Sequence, residues 1–162
     1  MATINGATLV ARNLKQQGVD YMYGIVGFPV GPIATAAQRE GITYIGMRNE
    51  QAASYAAQAA GYLTGRPQAC LTVSGPGVIH ALAGLANAQS NCWPMILLGG
   101  ASDTEQNGMG AFQEERQVMA ASQFCKYAHA VESVGKIPYY VEQAVRSSIF
   151  GRPGAVYLDM PD

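Results

Sequence analysis

Glu50 holds the position in this sequence best suited to chemistry. A short β-branched and aromatic run, Ile42 to Ile45, ends at Gly46, and within four residues an alanine-rich helical pattern opens with Glu50-Gln51-Ala52-Ala53. The glutamate therefore stands at the joint between a strand and a helix. Parallel α/β folds place ligands outside the carboxyl ends of their strands, and a carboxylate there can hold, give or take a proton. The plain alternative is a first-turn glutamate favoured by the helix dipole, worth roughly 0.3–1 kcal/mol. In that case Arg48, two residues earlier, would be its surface partner.

Other candidates carry weaker signals. Ser74-Gly75-Pro76-Gly77 precedes a helical pattern and could turn backbone N–H groups toward an anion, but it also reads as a tight turn with proline in the first helical position. Position 80 is His80, where a dinucleotide fingerprint needs its third glycine, and neither a Walker lysine nor a G-x-S-x-G elbow occurs. His80 falls among Val78, Ile79 and Leu82, and His129 falls in a strand pattern. With no second histidine or carboxylate at ligand spacing, both read as packing or ordinary hydrogen-bonding residues. Cys92, beside Trp93, reads as buried filler with no cationic neighbour.

The elements that must position these residues alternate along the chain. Asn5 can cap a helix to about Gln17, and a strand spans Val19 to Val26. A helix follows from Pro32 to Arg39, then a strand at Thr43–Ile45 and a helix from Glu50 to about Leu63, stopped by Gly65. Ala69–Val73 and Pro94–Leu98 are continuous apolar runs, as in strands buried on both faces. Between them a helix runs to about Ala88. Gly99 to Glu115 is loop-like, followed by a short helix at Gln117–Ser122, a strand at Lys126–Val131, an amphipathic helix from Ile137 to Phe150 and a strand at Ala155–Met160. This βαβα order predicts a three-layer α/β/α fold around a mostly parallel sheet. Four loops leave the carboxyl ends of its strands: Gly27-Phe28-Pro29, Arg48-Asn49-Glu50, Ser74–Gly77 and Gly99–Glu115. Which of them converge depends on strand order, and the sequence leaves that open.

Composition bounds the function. The chain has 162 residues, one domain by length, and is 49% hydrophobic but only 13% charged. An average soluble domain is about 25% charged, so much of the outer face is expected to lie against something else. A net charge of −1 gives no footprint for nucleic acid or an anionic membrane. Three cysteines without C-x-x-C spacing point to a reduced, intracellular protein without a disulfide framework or zinc site. No apolar run of about 18 residues and no signal-peptide pattern occur, so a soluble chain is expected.

Taken together, the sequence resembles the pyrimidine-binding (PYR) domain of thiamine-diphosphate enzymes over essentially its whole length. Within that superfamily it is most similar to the 2-hydroxyacyl-CoA lyases, relatives of oxalyl-CoA decarboxylase. The residues that carry the likeness are Tyr23-Gly24-Ile25-Val26-Gly27-Phe28-Pro29-Val30, Tyr44 to Ala53, Gly61-Tyr62-Leu63-Thr64-Gly65-Arg66-Pro67 and Val73-Ser74-Gly75-Pro76-Gly77. Asn91-Cys92-Trp93-Pro94, Gly110-Ala111-Phe112-Gln113-Glu114 and Ala144 to Gly154 complete the set. The Arg48-x-Glu50-x-x-Ala53 core indicates only a thiamine-diphosphate enzyme. The Gly-Phe-Pro, Phe-Gln-Glu and Arg-Ser-Ser-Ile-x-Gly-Arg-Pro-Gly runs narrow it to the lyases.

The resemblance implies roles. Glu50 would hydrogen-bond N1′ of the cofactor's aminopyrimidine and share a proton there, promoting the imino tautomer whose 4′ nitrogen deprotonates the thiazolium to an ylid. A carboxyl group pulled between burial, which favours its neutral form, and a helix N-terminus, which favours the anion, suits that exchange. Gly27, Pro29, Val73, Gly75 and Pro76 would surround the pyrimidine through backbone and apolar contact. Gln113 would face the reacting carbons, and Phe28 would shape the substrate side of the pocket; core filling and loop polarity are the plain alternatives for these two. The implied reaction is carbon–carbon cleavage of a 2-hydroxyacyl-CoA to formyl-CoA and a shortened aldehyde.

Family enzymes hold the diphosphate through Mg²⁺ on a later domain marked by Gly-Asp-Gly, which this sequence lacks; its four aspartates, Asp20, Asp103, Asp159 and Asp162, are scattered. The expectation is a single PYR-like domain over 1–162, without the middle and diphosphate-binding domains and inactive by itself. The site would be completed by a diphosphate-binding domain of a neighbouring subunit in a homo-oligomer. Family membership implies the cytoplasm, or the peroxisome in a eukaryote. Alternatives are the PYR domain of an oxalyl-CoA decarboxylase or acetolactate synthase-like enzyme, or a non-catalytic docking or dimerisation domain.

Overall fold

The computed structural model describes residues 4–162; the first three, inside the single domain expected over 1–162, lie outside the described residues. Six strands form one sheet in the order β2-β1-β3-β4-β6-β5. They are β1 (Tyr21–Gly24), β2 (Thr43–Gly46), β3 (Gln68–Thr72), β4 (Met95–Ala101), β5 (Tyr127–Ala130) and β6 (Ala155–Pro161). Every neighbouring pair is parallel. Helices α1 (Gly6–Gln16), α2 (Gly31–Arg39) and α6 (Ile137–Ile149) cover one face, with Leu14, Ala37 and Val141 fully buried there. Helices α3 (Glu50–Thr64), α4 (Pro76–Asn91) and α5 (Gln117–Ser122) cover the other around Ala57, Leu85 and Leu97. The expected three-layer α/β/α fold is present, and its sheet is wholly parallel.

Local chemistry accounts for most boundaries. Asn5 caps α1, its side chain accepting from Thr8 N–H at 2.9 Å, and Gly65, in left-handed backbone, ends α3. β3 and the first six residues of β4 are buried at every position, as continuous apolar runs between two helical layers should be. Gln68 opens β3 although it is polar: its Oε1 accepts from the amides of Asp20 at 2.9 Å and Tyr21 at 2.8 Å, so its burial is satisfied.

Three expectations are corrected. β1 begins at Tyr21, two residues later than expected, because Gly18 and Val19 bond back to the end of α1. β4 continues past Leu98 through Gly99 and Gly100, which pair with Asp159 and Met160. Those glycines mark close approach, not a loop: a Cβ on Gly99 would lie 2.5 Å from the Tyr157 hydroxyl, and one on Gly100 2.6 Å from Pro29 Cδ. Cys92 does have a cationic neighbour, since the Arg152 Nε–H donates to its sulfur at 2.9 Å.

Candidate functional site

Strand order decides which loops meet. From β1 the chain goes to β2 on one side and to β3 on the other, so the topological switch lies between β1 and β3. Ligands of open parallel sheets bind at that point, beyond the carboxyl ends of the strands. The loops after β1, β2 and β3 are therefore adjacent, and the loop after β4 is the next one along.

The walls of this crevice are small and tightly fitted. Met47 N–H donates to Gly24 C=O at 2.8 Å, and Ile25 N–H to Leu71 C=O at 3.2 Å, tying the loops after β2 and β1 to the neighbouring strand ends. Val73, half-buried after β3, is held between two glycines: a Cβ on Gly27 or on Gly77 would come within 2.7 Å of its methyl groups. Gly75 adopts φ 58°, and a Cβ there would stand 2.6 Å from the Gln113 carbonyl oxygen. The long loop after β4 thus folds back over the turn after β3. Gln113 itself has φ 57°, and its Oε1 lies 3.5 Å from the Ser74 hydroxyl. Phe28 and Phe112, both largely exposed, meet edge to face with centroids 6.4 Å apart. Pro29 is buried against Gly100 beneath the loop, while Pro76 is exposed as the first residue of α4.

Glu50 opens α3 at the edge of this crevice. Asn49 is the cap, its Oδ1 accepting from Ala52 N–H at 2.9 Å. One Glu50 oxygen, Oε2, lies 2.8 Å from His80 Nδ1 near the start of α4; the other makes no hydrogen bond among the described residues. The carboxylate is 19% exposed and the imidazole 47%. Its partner is thus His80 and not Arg48. The carboxylate also reaches the sheet electrostatically: burial first, and then the Glu50 charge, push the Cys70 thiol in β3 far above the ordinary range.

Two sets of contacts that the sequence did not reveal complete the arrangement. His80 is in hydrogen-bonding use, as expected, but its partner Glu50 is 30 residues away, beyond any local pattern. Gln117, fully enclosed in the first turn of α5, accepts from Gly75 N–H through Oε1. Its Nε2 donates to Gly100 C=O at 2.9 Å, the Tyr157 hydroxyl at 3.2 Å and Asp159 Oδ1 at 2.6 Å. Gly75 N–H is therefore already engaged, which removes it from the anion-binding role open to that turn. The Tyr157 hydroxyl also donates to Asp159. Burial raises both groups above their usual values, opposed at Asp159 by the hydrogen bonds from Tyr157 and Gln117.

Chemically, this is a crevice with apolar and glycine walls and one carboxylate whose second oxygen is free. That oxygen can accept a hydrogen bond from a ligand or share a proton with it. The donor set contains no carboxylate group fit for a divalent cation: among the described residues, no three His, Cys, Asp or Glu side chains gather.

Residues 4–121 match the family described as thiamine pyrophosphate enzyme, N-terminal TPP binding domain. The chain is 59% identical over 158 residues to 2-hydroxyacyl-CoA lyase 1 of Mus musculus, covering 98% of this chain and 27% of that protein. The Homo sapiens 2-hydroxyacyl-CoA lyase 1 is 58% identical over the same lengths. Oxalyl-CoA decarboxylase of Escherichia coli is 45% identical over 159 residues, 97% of this chain and 28% of that protein. The chain spans about a quarter of the length of these relatives.

Proposed function

The chain belongs to the thiamine pyrophosphate enzymes, as their N-terminal TPP binding domain, and on that premise we propose that it is the pyrimidine-binding half of a 2-hydroxyacyl-CoA lyase site. The reaction is cleavage of a 2-hydroxyacyl-CoA to formyl-CoA and an aldehyde one carbon shorter. Thiamine diphosphate, when bound, supplies the carbon nucleophile and electron sink for that cleavage. The observation that carries the reading is the Glu50 carboxylate, with one oxygen held by His80 and one free, beside the Gly27–Val73 crevice at the topological switch. Glu50 Oε1 takes and returns the proton at the pyrimidine ring nitrogen. Gly27, Val73 and Gly75 would pack the ring; a Cβ on Gly27 would displace Val73, and one on Gly75 the Gln113 backbone, so either would disturb this wall. Phe28 and Phe112 bound the substrate side, and Gln113 offers its amide to a substrate oxygen. The lyase is favoured over the decarboxylase by 59% against 45% identity.

The diphosphate and its Mg²⁺ belong to a domain of a neighbouring subunit in a homo-oligomer, so this domain by itself turns over nothing. The compartment is the cytoplasm, or the peroxisome in a eukaryote; among the described residues no helix is long and apolar enough to cross a membrane. The test joins this domain to a middle and a diphosphate-binding domain and assays 2-hydroxyacyl-CoA and oxalyl-CoA separately. Formyl-CoA plus aldehyde from the first supports the lyase. Turnover of oxalyl-CoA alone would move the chain to the decarboxylases. Glu50→Gln should keep the fold and lose most exchange of the cofactor's thiazolium C2 proton.

A further inference from the structure

Helices α3 and α4 run side by side in a register that repeats every turn. Glu50 meets His80 at the open end, and Ser54 meets Gly84 one turn below. Next, Asn87 Nδ2 donates to Gln58 Oε1 at 2.7 Å, and Tyr62 stacks on Trp93 at 4.8 Å at the far end. The Ser54–Gly84 contact leaves no room for a Cβ on the glycine, so the helices lie in close contact one turn below the 2.8 Å approach of His80 Nδ1 to Glu50 Oε2.

The groups around the imidazole also select its tautomer. Asn49 Oδ1 is engaged by Ala52 N–H, which leaves the Asn49 amide nitrogen 3.5 Å from His80 Nε2. A carboxylate only accepts and an amide NH₂ only donates. The neutral ring that satisfies both carries its hydrogen on Nδ1, donates it to Glu50 Oε2, and offers the Nε2 lone pair to Asn49. The residue that caps α3 thus orients the histidine that holds the first side chain of α3.

We propose that His80 is a positioning residue for Glu50: its Nδ1–H fixes Oε2 and turns Oε1 toward the pyrimidine nitrogen. This rests on the reading of Glu50 given under the proposed function. His80 touches neither cofactor nor substrate in this role; it acts by removing the freedom of the carboxylate to rotate, much as outer-shell partners orient the groups that do the chemistry.

Two measurements test it. In the ¹⁵N-labelled chain, long-range ¹H–¹⁵N spectra should show His80 with a protonated Nδ1 and a bare Nε2, and Glu50→Ala should shift the Nδ1 signal. A ring protonated on Nε2 alone, or a spectrum indifferent to Glu50→Ala, overturns the proposal without any cofactor present. In the protein joined to its diphosphate-binding domain, His80→Ala should slow exchange of the cofactor C2 proton by about tenfold. Asparagine places its amide nitrogen where imidazole has Nδ1, so His80→Asn should restore most of that loss, whereas His80→Gln, whose nitrogen lies one bond further out, should not. Equal loss in all three variants would reduce His80 to a packing role and sink the proposal. If Glu50→Gln leaves C2 exchange unchanged, the reading of Glu50 fails first, whatever the tautomer.

Discussion

Gly84 lies against Ser54 so closely that a Cβ on the glycine would fall 2.6 Å from the serine Cβ and 2.9 Å from the serine carbonyl carbon. The backbone atom cannot move aside without moving α3. Gly84→Ala is therefore expected to part the two helices and destabilise the fold by about 1–3 kcal/mol, the usual cost of overpacking. Because Glu50 and His80 ride on the same pair of helices, it should also break their hydrogen bond. Chemical denaturation measures the first effect and the His80 ring signals the second. Ser54→Gly added to Gly84→Ala should recover part of the stability, and a wild-type midpoint for Gly84→Ala alone would show that the helices have slack.

Gln117 joins three segments that are far apart in sequence: the turn after β3, the end of β4, and two residues of β6. Truncating it strands buried Gly75 N–H and removes a donor from half-buried Asp159. A buried group left unsatisfied costs about 1–3 kcal/mol, so Gln117→Ala should lose about 2–3 kcal/mol and loosen the turn that carries Val73 and Gly75. Thermal unfolding reads the loss, and amide exchange at Gly75 reads the turn. Unaltered exchange at Gly75 would mean that another group holds it.

Asp159 gives a pH signature of known sign. Burial raises it above its usual value, only partly offset by the hydrogen bonds from Tyr157 and Gln117. Its protonated form favours the folded state, so its contribution is fully present below the unfolded value of about 3.9 and is lost as pH rises through the elevated folded value. Asp159→Asn should lack this decline. The comparison is made as the difference between the two melting-temperature curves across the acid range, which cancels the opposite slopes expected from Glu40 and Glu132, both held below the usual range by their cationic partners. Parallel curves would remove Asp159 from the pH dependence.

How much of this was legible in the sequence follows from distance along the chain. Glu50 could be picked out because strand, glycine stop and helix start all lie within a few residues of it. The alternation of elements was readable for the same reason. Gly99-Gly100 misled, because glycine that permits Tyr157 and Pro29 to approach has the same letters as glycine that makes a loop. His80 with Glu50, Gln117 with Asp159 and Cys92 with Arg152 are pairs separated by 30, 42 and 60 residues. No local period encodes them. They exist because the strand order brings crossover helices and loops together, and strand order was the quantity the sequence left open.

Glu114 governs the loop that carries Phe112 and Gln113 over the crevice. Its carboxylate accepts from the amides of Gly108, Gly110 at 2.8 Å and Ala111 at 3.1 Å. These bonds, Gly108's first, hold it below the usual carboxylate range. The ordering it supplies is therefore present above its unfolded value, about 4.3, and is lost as pH falls through its lower folded value. Protection of the 108, 110 and 111 amides against hydrogen exchange, corrected for intrinsic rates, should drop over that acid interval in the wild type. In Glu114→Ala protection should be low at every pH, while the strands keep theirs, because the loop contributes little to the core. In the protein joined to its diphosphate-binding domain, the same substitution should raise KM for the acyl-CoA more than it lowers kcat, since a mobile Phe112 and Gln113 weaken substrate placement without touching Glu50. Full protection of the three amides in Glu114→Ala would show that the loop is ordered by other contacts and that Gln113 owes its position to Gly75 alone.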